Sequence, residues 1–409
     1  MKNATLQVWL YQEMVGTLSQ DLGGRFEFEY VDGVSHALSL SLPLSQKFYD
    51  HKSCEGFFNG LLPEGDAIRD LIAKKHGISA HNDFSLLRAI GYDCAGAVSF
   101  MDESSPSPTL DYHPLDGRIL SDDELEDIIT HLPQKPLSVG DDGIRLSLAG
   151  AQHKTALLLL GDKLASPLRD VPTSHIIKPA IDAYEETIEN EYICLETARA
   201  IGLDVPKIEI RHANKTKFFM IERYDRHRVG DKIARLHQED FCQATNKPSV
   251  RKYQKEGGVS YKDCADILRQ TRTPARFIRD LLDRIIFNFL IGNNDAHGKN
   301  FSLVHGKDGK CLLAPCYDML CTQVYPELTR RMAMKIGHHD QRAKLELRHF
   351  QAMAQDMGVS EKALVMRWAE LSQQVPLALE QVIQSIPNTI GKRILDEVNK
   401  NCAFVSRRF

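Results

Sequence analysis

The sequence predicts an α+β chain in two lobes, with a β-rich N-terminal lobe and a mainly helical C-terminal lobe. Short alternating runs of apolar and polar residues, separated by Gly and Asp, open the chain and are typical of antiparallel strands. After residue 274 the apolar residues recur at helical spacing instead. At 409 residues the chain is also too long for one small core, so more than one lobe is expected.

The individual elements follow from these patterns in chain order. Strands are expected at residues 6–10, 26–31, 39–43, 154–160, 175–178 and 218–221. Helices are expected at residues 65–75, 84–90, 185–201, 277–290 and 390–398. The helix at 277–290 carries an i, i+4 apolar stripe, which predicts that it lies in the core. Gly202 and Gly292 follow two of the helices, where glycine commonly ends a helix.

Three segments divide the chain. Residues 1–105 form a β-rich subdomain, residues 106–225 form the second part of the N-terminal lobe, and residues 226–409 form the helical lobe. The stretch 104–114 is rich in Pro and Ser and has acids on both sides, which is typical of a linker.

Composition excludes several classes of protein. A 43% hydrophobic and 26% charged content is that of a globular enzyme and excludes a disordered chain. No run approaches the roughly 20 apolar residues of a membrane span, and the first residues lack a signal-peptide core. Nine cysteines without a CxxC pair indicate free thiols in a reducing compartment. We therefore expect a cytoplasmic protein with no membrane partner.

The charges are unevenly distributed. Residues 101–142 hold eleven acids against two bases, a net of −9, and residues 207–256 hold thirteen Lys and Arg against seven acids, a net of +6. The basic segment could meet a polyanion. A solvated surface explains it as well, because no basic helix of the nucleic-acid-binding type stands out.

The most informative residues lie near position 300. Asp295, Asn300 five positions later, and Asp318 beyond a hairpin are spaced like the base and two metal ligands of phosphoryl-transfer enzymes. Asp295 would accept the proton of an attacking hydroxyl, and the oxygens of Asn300 and Asp318 would bind Mg²⁺. A simple helix-exit turn would explain Asp295 alone. It would not explain the intervals to Asn300 and to Asp318, which we expect at the end of a second strand.

Phosphoryl transfer also needs a cation for the nucleotide phosphates, and Lys178 is the best candidate. Its apolar neighbours would bury the stem of the side chain, and Pro179 would end the strand just beyond it. Glu189 or Glu191 on the next helix could orient the ammonium, and the sequence does not choose between them. The alternative for Lys178 is an edge-strand residue with a solvated ammonium.

Residues 144–155 form a candidate phosphate loop, because small residues let backbone N–H groups approach anionic oxygens. The pair Lys154-Thr155 lacks the glycines of a Walker A motif, which disfavours a P-loop NTPase. The absence of Gly-x-Gly-x-x-Gly disfavours a Rossmann dehydrogenase. A small β-rich lobe followed by a large helical lobe is the order of kinase-like folds.

Several motifs in a fixed order resemble the HipA family, the serine/threonine-kinase toxins of bacterial toxin–antitoxin modules. They are residues 57–65, residues 91–98, the loop 293–300 and Asp318. The resemblance implies a two-lobed protein-kinase-like (HipA-like) fold, in which the N-terminal lobe forms the nucleotide roof. It also implies an ATP-dependent protein serine/threonine kinase that uses Mg²⁺.

The same resemblance assigns roles to single residues. Asp295 matches the catalytic base, and Asn300 and Asp318 match the metal-site positions. Ser147 matches a serine that is autophosphorylated in trans, after which the loop is ejected and ATP binding is lost. Positions that match ATP-contacting or hinge residues are Ala149, Gly150, Ala151, Gln152, Lys154, Lys178, Glu222, Tyr224, Gln238, His297 and Asp318.

Two positions depart from the family pattern. Tyr224 stands where the family often has Phe, a change that a stacking position should tolerate. His153 stands where an acid is common.

The family further implies partners. A small HipB-like helix-turn-helix antitoxin would bind the kinase and operator DNA and repress the operon, so the chain would be nucleoid-associated in that complex. The protein substrate would be an aminoacyl-tRNA synthetase, since the best-studied member phosphorylates glutamyl-tRNA synthetase and causes growth arrest and persistence. Dimer contacts between two copies of the chain are left open.

Two other interpretations stay open. A small-molecule kinase of the aminoglycoside or choline type uses a similar Asp-x4-Asn loop, although the Ser147 loop and the 57–65 motif argue against it. A catalytically silent module would hold only the antitoxin and DNA. The intact set of Lys178, Asp295, Asn300 and Asp318 argues against that second interpretation.

Overall fold

The computed structural model describes residues 4–105, 113–138, 145–168, 171–306 and 308–408. It divides into two compact units. Unit 1 consists of Met1–Pro179, Arg211–Ser249 and Val304–Gly309, and unit 2 consists of Ala180–Ile210, Val250–Leu303 and Lys310–Phe409. Most of the predicted linker at 104–114 and the first residue of the predicted loop at 144–155 lie outside the described residues.

The strands of the described residues are short. They are β1 (Ala4–Leu10), β2 (Glu13–Gln20), β3 (Phe26–Tyr30), β4 (Phe48–Tyr49), β5 (Val98–Met101), β6 (His113–Pro114), β7 (Gly117–Ile119), β8 (Thr155–Leu160), β9 (Lys163–Pro167), β10 (His175–Pro179), β11 (Ile208–Ala213), β12 (Thr216–Glu222), β13 (Arg226–Val229), β14 (Lys232–Arg235), β15 (Gln238–Asp240), β16 (Ser302–His305), β17 (Cys311–Leu313), β18 (Arg331–Ile336) and β19 (His339–Gln341).

The helices become longer towards the C-terminus. They are α1 (His51–Gly60), α2 (Asp66–His76), α3 (Asp83–Ile90), α4 (Asp122–His131), α5 (Thr187–Ala200), α6 (Phe241–Ala244), α7 (Tyr261–Leu268), α8 (Pro274–Leu290), α9 (Leu347–Met357), α10 (Glu361–Ile383) and α11 (Ile390–Ser406). The five predicted helices are confirmed within a few residues, except that the last one continues to Ser406. No helix of the described residues is long and apolar enough to cross a membrane.

Unit 1 begins with a five-stranded antiparallel sheet in the order β4-β3-β2-β1-β5. Alternate residues of β1 are buried, as the period of two in the sequence requires. Its core joins aromatic side chains of the sheet to those of α1, including Phe28, Phe57, Phe58 and Phe100. The strand β2 was not predicted.

The prediction of a strand at residues 39–43 is wrong. Ser39 and Leu42 form only an isolated bridge across a tight turn. The Leu40 N–H donates to Glu239 Oε1 at 3.0 Å, and Ser39 Oγ donates to the other oxygen of the same carboxylate. The Leu40 N–H, which a strand could use for its ladder, is therefore bound to a side chain far along the chain.

The second sheet of unit 1 has the order β11-β12-β10-β8-β9-β7 and is covered by α4. Leu125 and Ile129 of α4 share a buried cluster with Leu157, Ile177 and Phe218 of the strands. The strand β10 pairs antiparallel with β12 on one side and with β8 on the other. It is therefore an interior strand of the sheet.

Unit 2 is mainly helical and packs around α8. The predicted apolar stripe of this helix is buried, with Leu281, Ile285 and Ile286 at 1% exposure or less. At its C-terminal end, the Phe289 ring contacts Trp368 of α10 edge to face, with centroids 5.3 Å apart. Phe350 of α9 meets the same Trp368 at 5.1 Å. This core holds the end of α8, and the loop that follows it, in a fixed position.

Candidate active site

The loop after α8 is held by two asparagines that point inward. Asn293 Nδ2 donates to Asn288 Oδ1 at 2.8 Å, and its own Oδ1 accepts the Asp295 N–H at 3.0 Å. Asn294 Oδ1 accepts from Arg342 Nε at 2.9 Å, and its backbone N–H donates to the hydroxyl of Thr322. Both asparagines are buried. Asn293 binds a backbone N–H group of the loop. The Asp295 carboxylate is therefore not needed to satisfy that group.

Asp295 is less buried than the two asparagines, and half of its side chain meets solvent. Tyr253 Oη donates to Asp295 Oδ1 at 2.9 Å. His297 Nε2 lies 4.0 Å from the other carboxylate oxygen, Oδ2. One oxygen is thus held by a phenol, while the second has His297 Nε2 at 4.0 Å and belongs to a half-exposed side chain. A general base needs this combination of a fixed orientation and an open lone pair.

Asn300 lies beside Asp295, in the 3-10 turn Gly298–Asn300. Its Nδ2 donates to the Asp295 carbonyl oxygen at 3.4 Å. This bond fixes the amide, so Oδ1 is the atom that could bind a cation. The predicted interval of five residues therefore brings the candidate base and the candidate amide ligand into one loop.

The sequence predicted Asp318 at the end of a strand, and this prediction is wrong. The strand β17 ends at Leu313, and Asp318 lies in the following coil with φ of 51°. A non-glycine residue in this left-handed region costs on the order of 1 kcal/mol or more and is often found at functional sites. The Asp318 carbonyl accepts from Asn293 Nδ2 at 3.5 Å, which ties it to the same loop.

Oxygen ligands from Asn300 and Asp318 fit the chemistry of Mg²⁺, which prefers few protein carboxylates and keeps several waters. Across the described ranges, no three His, Cys, Asp or Glu side chains converge as a ligand set. All nine cysteines are free, and eight of them are buried. A hard cation held by one carboxylate and one amide is the metal site that this donor set could form.

In unit 1, Lys178 lies on the interior strand β10, opposite Phe219 of β12. Its side chain is buried, with 4% exposure, so the interpretation of an exposed edge lysine is wrong. Glu189 and Glu191, the two candidates for its acidic partner, are both buried in α5 of unit 2. Which of them orients the lysine stays a prediction.

The candidate phosphate loop is tied to the segment after α1. Pro63 and Gly150 form a parallel bridge, and the Glu64 N–H donates to the Gly150 carbonyl at 3.1 Å. Gly150 has φ of 110°, and a Cβ there would lie 2.7 Å from Lys154 Nζ. The positive φ favours glycine here, and the absence of a side chain leaves room for the lysine to fold back over the loop. Ala149, Ala151 and Gln152 are at least partly exposed.

Ser147 is completely buried in this loop. Its Oγ donates to the Leu61 carbonyl at 2.7 Å, and its N–H donates to the Asp93 carbonyl at 3.1 Å. No other molecule can reach the hydroxyl in this conformation. Phosphorylation of Ser147 would require the loop to leave its position first.

The predicted adenine-binding residues surround the end of β12. Glu222 is exposed at the last position of that strand. Tyr224 Oη donates to Gln238 Oε1 at 2.9 Å, so these two predicted residues do meet. This segment has a surface carboxylate and an aromatic ring that could contact a purine. The remaining predicted nucleotide contact, His297, lies in the Asp295 loop of unit 2.

A buried ion cluster in unit 1 escaped the sequence analysis. The Asp93 carboxylate receives Arg226 Nη2 at 2.6 Å and Thr173 Oγ1 at 2.7 Å, and Arg223 Nη2 meets Asp225 at 2.8 Å. Burial alone would raise the pKa of the Asp93 carboxyl, but the surrounding arginines, Arg226 first, hold that pKa well below its usual range. The cluster therefore stays ionised and fixes the strand end that carries Tyr224.

Tyr253 also escaped the sequence analysis. It lies 42 residues before Asp295, in the basic segment 207–256 that was interpreted only as a surface. Two arginines of that segment, Arg223 and Arg226, are buried with carboxylates and cannot face a polyanion. A tyrosine far from a motif gives no spacing signal, so sequence alone could not have assigned it.

Comparison with known proteins identifies the family. The profile of the HipA N-terminal domain matches residues 6–101. The profile of the HipA-like C-terminal domain matches residues 146–379, more than half of the chain. The chain belongs to the HipA family. The resemblance based on the motifs is thereby confirmed.

Individual relatives match almost the whole chain. Y4mE of Sinorhizobium fredii, named provisionally as a kinase, is 40% identical over 392 residues, 93% of this chain and 92% of its own. The serine/threonine-protein kinase toxin HipA of Shewanella oneidensis is 27% identical over 406 residues, 94% of this chain and 91% of its own.

A solved structure settles the HipA fold. The Shewanella oneidensis HipA chain in a complex with HipB and operator DNA matches with a TM-score of 0.84 at 26% identity. The match covers 97% of this chain and 96% of that chain. The predicted two-lobed, kinase-like α+β fold is confirmed.

Proposed function

We propose that the chain is an ATP-dependent protein serine/threonine kinase and the toxin of a toxin–antitoxin pair. The observation that carries the proposal is the environment of Asp295. One of its carboxylate oxygens is fixed and the other is open, and Asn300 and Asp318 are tied to the same loop. Membership of the HipA family, whose named relatives are kinases, supports it.

In the proposed reaction the oxygen of a substrate hydroxyl attacks the γ-phosphorus of ATP. The bond from that phosphorus to the bridging oxygen breaks, and ADP leaves with the electron pair. Asp295 accepts the hydroxyl proton at Oδ2, the oxygen that Tyr253 does not hold. Asn300 and Asp318 would hold Mg²⁺, which supplies neutralisation of phosphate charge.

Residues of unit 1 would bind the nucleotide. Lys178 would hold phosphate oxygens through its ammonium, and Lys154 would add a second positive charge where it folds over Gly150. Ala149, Gly150, Ala151 and Gln152 would offer backbone N–H groups to the phosphates. Glu222, Tyr224 and Gln238 would contact adenine, and His297 of unit 2 would add a nucleotide contact. The division of the chain into residues 1–105, 106–225 and 226–409, with the nucleotide roof in the N-terminal lobe, stays a prediction.

Ser147 would switch this activity off. A phosphate on its Oγ could not be accommodated where the hydroxyl now donates to the Leu61 carbonyl, because that site is fully buried. Phosphorylation in trans would therefore trap the loop outside its position, and the loop would no longer offer its backbone to the nucleotide.

We predict that the purified chain gains one phosphoryl group when it is incubated with Mg·ATP, and that peptide mapping places the group on Ser147. Intact-mass spectrometry measures the gain. The variant Ser147→Ala should gain none, while Ser105→Ala, which removes a serine outside the loop, should behave like the unchanged chain. A small-molecule kinase would show no gain on Ser147, and this result would count against the toxin proposal.

Partners are proposed by analogy with the Shewanella oneidensis complex of HipA, HipB and operator DNA. The chain would bind a HipB-like antitoxin and, with it, operator DNA, which would make it a corepressor. Its protein substrate would be an aminoacyl-tRNA synthetase, such as glutamyl-tRNA synthetase, whose phosphorylation would cause growth arrest. Phosphoproteomics after induced expression tests the substrate, and a set of phosphosites without any synthetase would contradict that assignment.

The basic segment 207–256 would contact DNA in such a complex. Lys217 and Lys232 are exposed on β12 and β14. We predict that Lys217→Glu and Lys232→Glu each weaken binding to an operator duplex in the presence of the antitoxin. The slope of log affinity against log salt should become shallower by about one for each lost contact. Lys400→Glu, exposed on α11, is the control. Slopes equal to that control would exclude the segment from DNA contact.

A further inference from the structure

Among the described residues, Tyr253 makes the one short and well-directed side-chain contact to the Asp295 carboxylate. Its Oη donates to Oδ1 at 2.9 Å, whereas His297 Nε2 stays 4.0 Å from Oδ2. The Tyr253 ring also meets the His297 ring edge to face, with centroids 5.5 Å apart. The phenol is therefore packed against one neighbour of the carboxylate while it binds the carboxylate itself.

The backbone around Tyr253 is held in a tight turn. The Tyr253 carbonyl accepts the N–H groups of Glu256 at 2.9 Å and Gly258 at 3.1 Å. A Cβ on Gly258 would lie 2.3 Å from the Arg251 carbonyl oxygen and 2.8 Å from that of Tyr253. Only glycine fits so close to the consecutive carbonyls of residues 251–253. The turn therefore has little freedom to move the phenol.

A second path of hydrogen bonds joins the same turn to the catalytic loop. Gln254 Oε1 accepts the Lys335 N–H of β18 at 2.6 Å. Two residues earlier on β18, the Ala333 N–H donates to the Asn294 carbonyl at 2.8 Å. Tyr253 and Asp295 are thus connected twice, once directly and once through β18. The path through β18 holds the backbone of the turn against the backbone of the Asp295 loop, which keeps the phenol within reach of the carboxylate.

We propose that Tyr253 is a positioning residue for Asp295, an inference that rests on the proposed kinase function. By donating to Oδ1, the phenol fixes the plane of the carboxylate and leaves Oδ2 to accept the proton of the substrate hydroxyl. A base held in the productive orientation needs no reorientation in the transition state. Tyr253 itself takes no proton and receives no phosphate.

The test is the variant Tyr253→Phe, which removes one oxygen and keeps the ring that packs on His297. The enzyme carries Ser147→Ala so that it cannot inactivate itself, and the acceptor is the full chain with Asp295→Asn, whose Ser147 is intact. We expect kcat for phosphate incorporation to fall about tenfold, since a lost hydrogen bond to a charged group has an effect of this size. KM for ATP and the melting temperature should not change.

Tyr184→Phe is the matched control, because the ring of this unit 2 tyrosine packs on Tyr325 and is kept by the substitution. It should leave kcat unchanged. The inference is overturned if Tyr253→Phe leaves kcat unchanged or raises it, the latter because the phenol would then be blocking the base. It is also overturned if phosphate appears on Tyr253, or if ATP affinity and melting temperature fall together with kcat.

Failure of the proposed function gives a different pattern. If the parent enzyme with Ser147→Ala transfers no phosphate to the acceptor chain, the kinase proposal fails before Tyr253 is tested. If the parent enzyme is active, its own Asp295→Asn version is inactive and Tyr253→Phe equals the parent, then only the role of Tyr253 is wrong.

Discussion

Asp295→Asn is expected to reduce phosphoryl transfer by about 10³-fold, within the range that removal of a general base produces. The amide of Asn has the shape of the carboxylate, and its oxygen can still accept the hydrogen bond from Tyr253 Oη. The change therefore removes proton acceptance and leaves the loop in place. Initial rates of phosphate incorporation into an acceptor chain measure the effect.

Nucleotide binding should survive this substitution, because the residues proposed for ATP binding are unchanged. Isothermal titration with Mg·ATP and thermal unfolding check that the variant is folded and loaded. Asp280→Asn is the matched control, since Asp280 lies on α8 of the same unit in an exposed pair with Arg276. If Asp295→Asn kept the rate of that control, Asp295 could not be the base.

Local patterns explain why much of the site could be predicted. The end of α8, Asp295 and Asn300 lie within a few residues of one another, so spacing alone places them in one loop. The apolar stripe of α8 depends only on the period of the helix. The burial of Lys178 was also predicted, because its apolar neighbours along β10 indicate a strand that is covered on both faces.

Contacts between distant residues explain the errors. The segment 39–43 alternates like a strand, yet the carboxylate of Glu239, about 200 residues away, takes the N–H of Leu40 and the hydroxyl of Ser39. Asp318 was expected at a strand end, but it lies in a left-handed coil position that no sequence pattern indicates for an aspartate. Tyr253 reaches Asp295 only through the folded chain. Tertiary structure decided each of these positions.

Asp93→Asn is expected to destabilise unit 1 by about 3 to 5 kcal/mol, the usual cost of removing one partner of a buried ion pair. The guanidinium of Arg226, now 2.6 Å from Asp93, would lose one of its two buried negative partners and keep only Asp225, at 3.0 Å. For a unit of this size the loss corresponds to a melting temperature lower by roughly 10 °C. Thermal and urea unfolding measure it.

Asp102→Asn provides the control, because Asp102 forms an exposed pair with Arg88 and such pairs contribute less than about 1 kcal/mol. Equal effects of the two substitutions would contradict the role of the buried cluster.

The pH dependence of the free energy of unfolding gives a second check. The pKa of Asp93 is lower in the folded chain than in the unfolded chain, so its contribution is present above about pH 4 and is lost as the pH falls further. The Asn variant should lose less stability over that acidic range.

The same substitution should also weaken ATP binding, because the Asp93 carboxylate holds the segment proposed for adenine and the Asp93 backbone lies against the candidate phosphate loop. The Asp93 N–H donates to the Arg145 carbonyl at 2.9 Å, and its carbonyl accepts the Ser147 N–H. Its side chain meanwhile holds Arg223 and Arg226, which flank the strand end of Tyr224. Residue 93 thus supports the loop proposed for the phosphates through its backbone and the segment proposed for adenine through its carboxylate. A variant that was less stable but bound ATP with unchanged affinity would show that the cluster supports the fold of unit 1 alone.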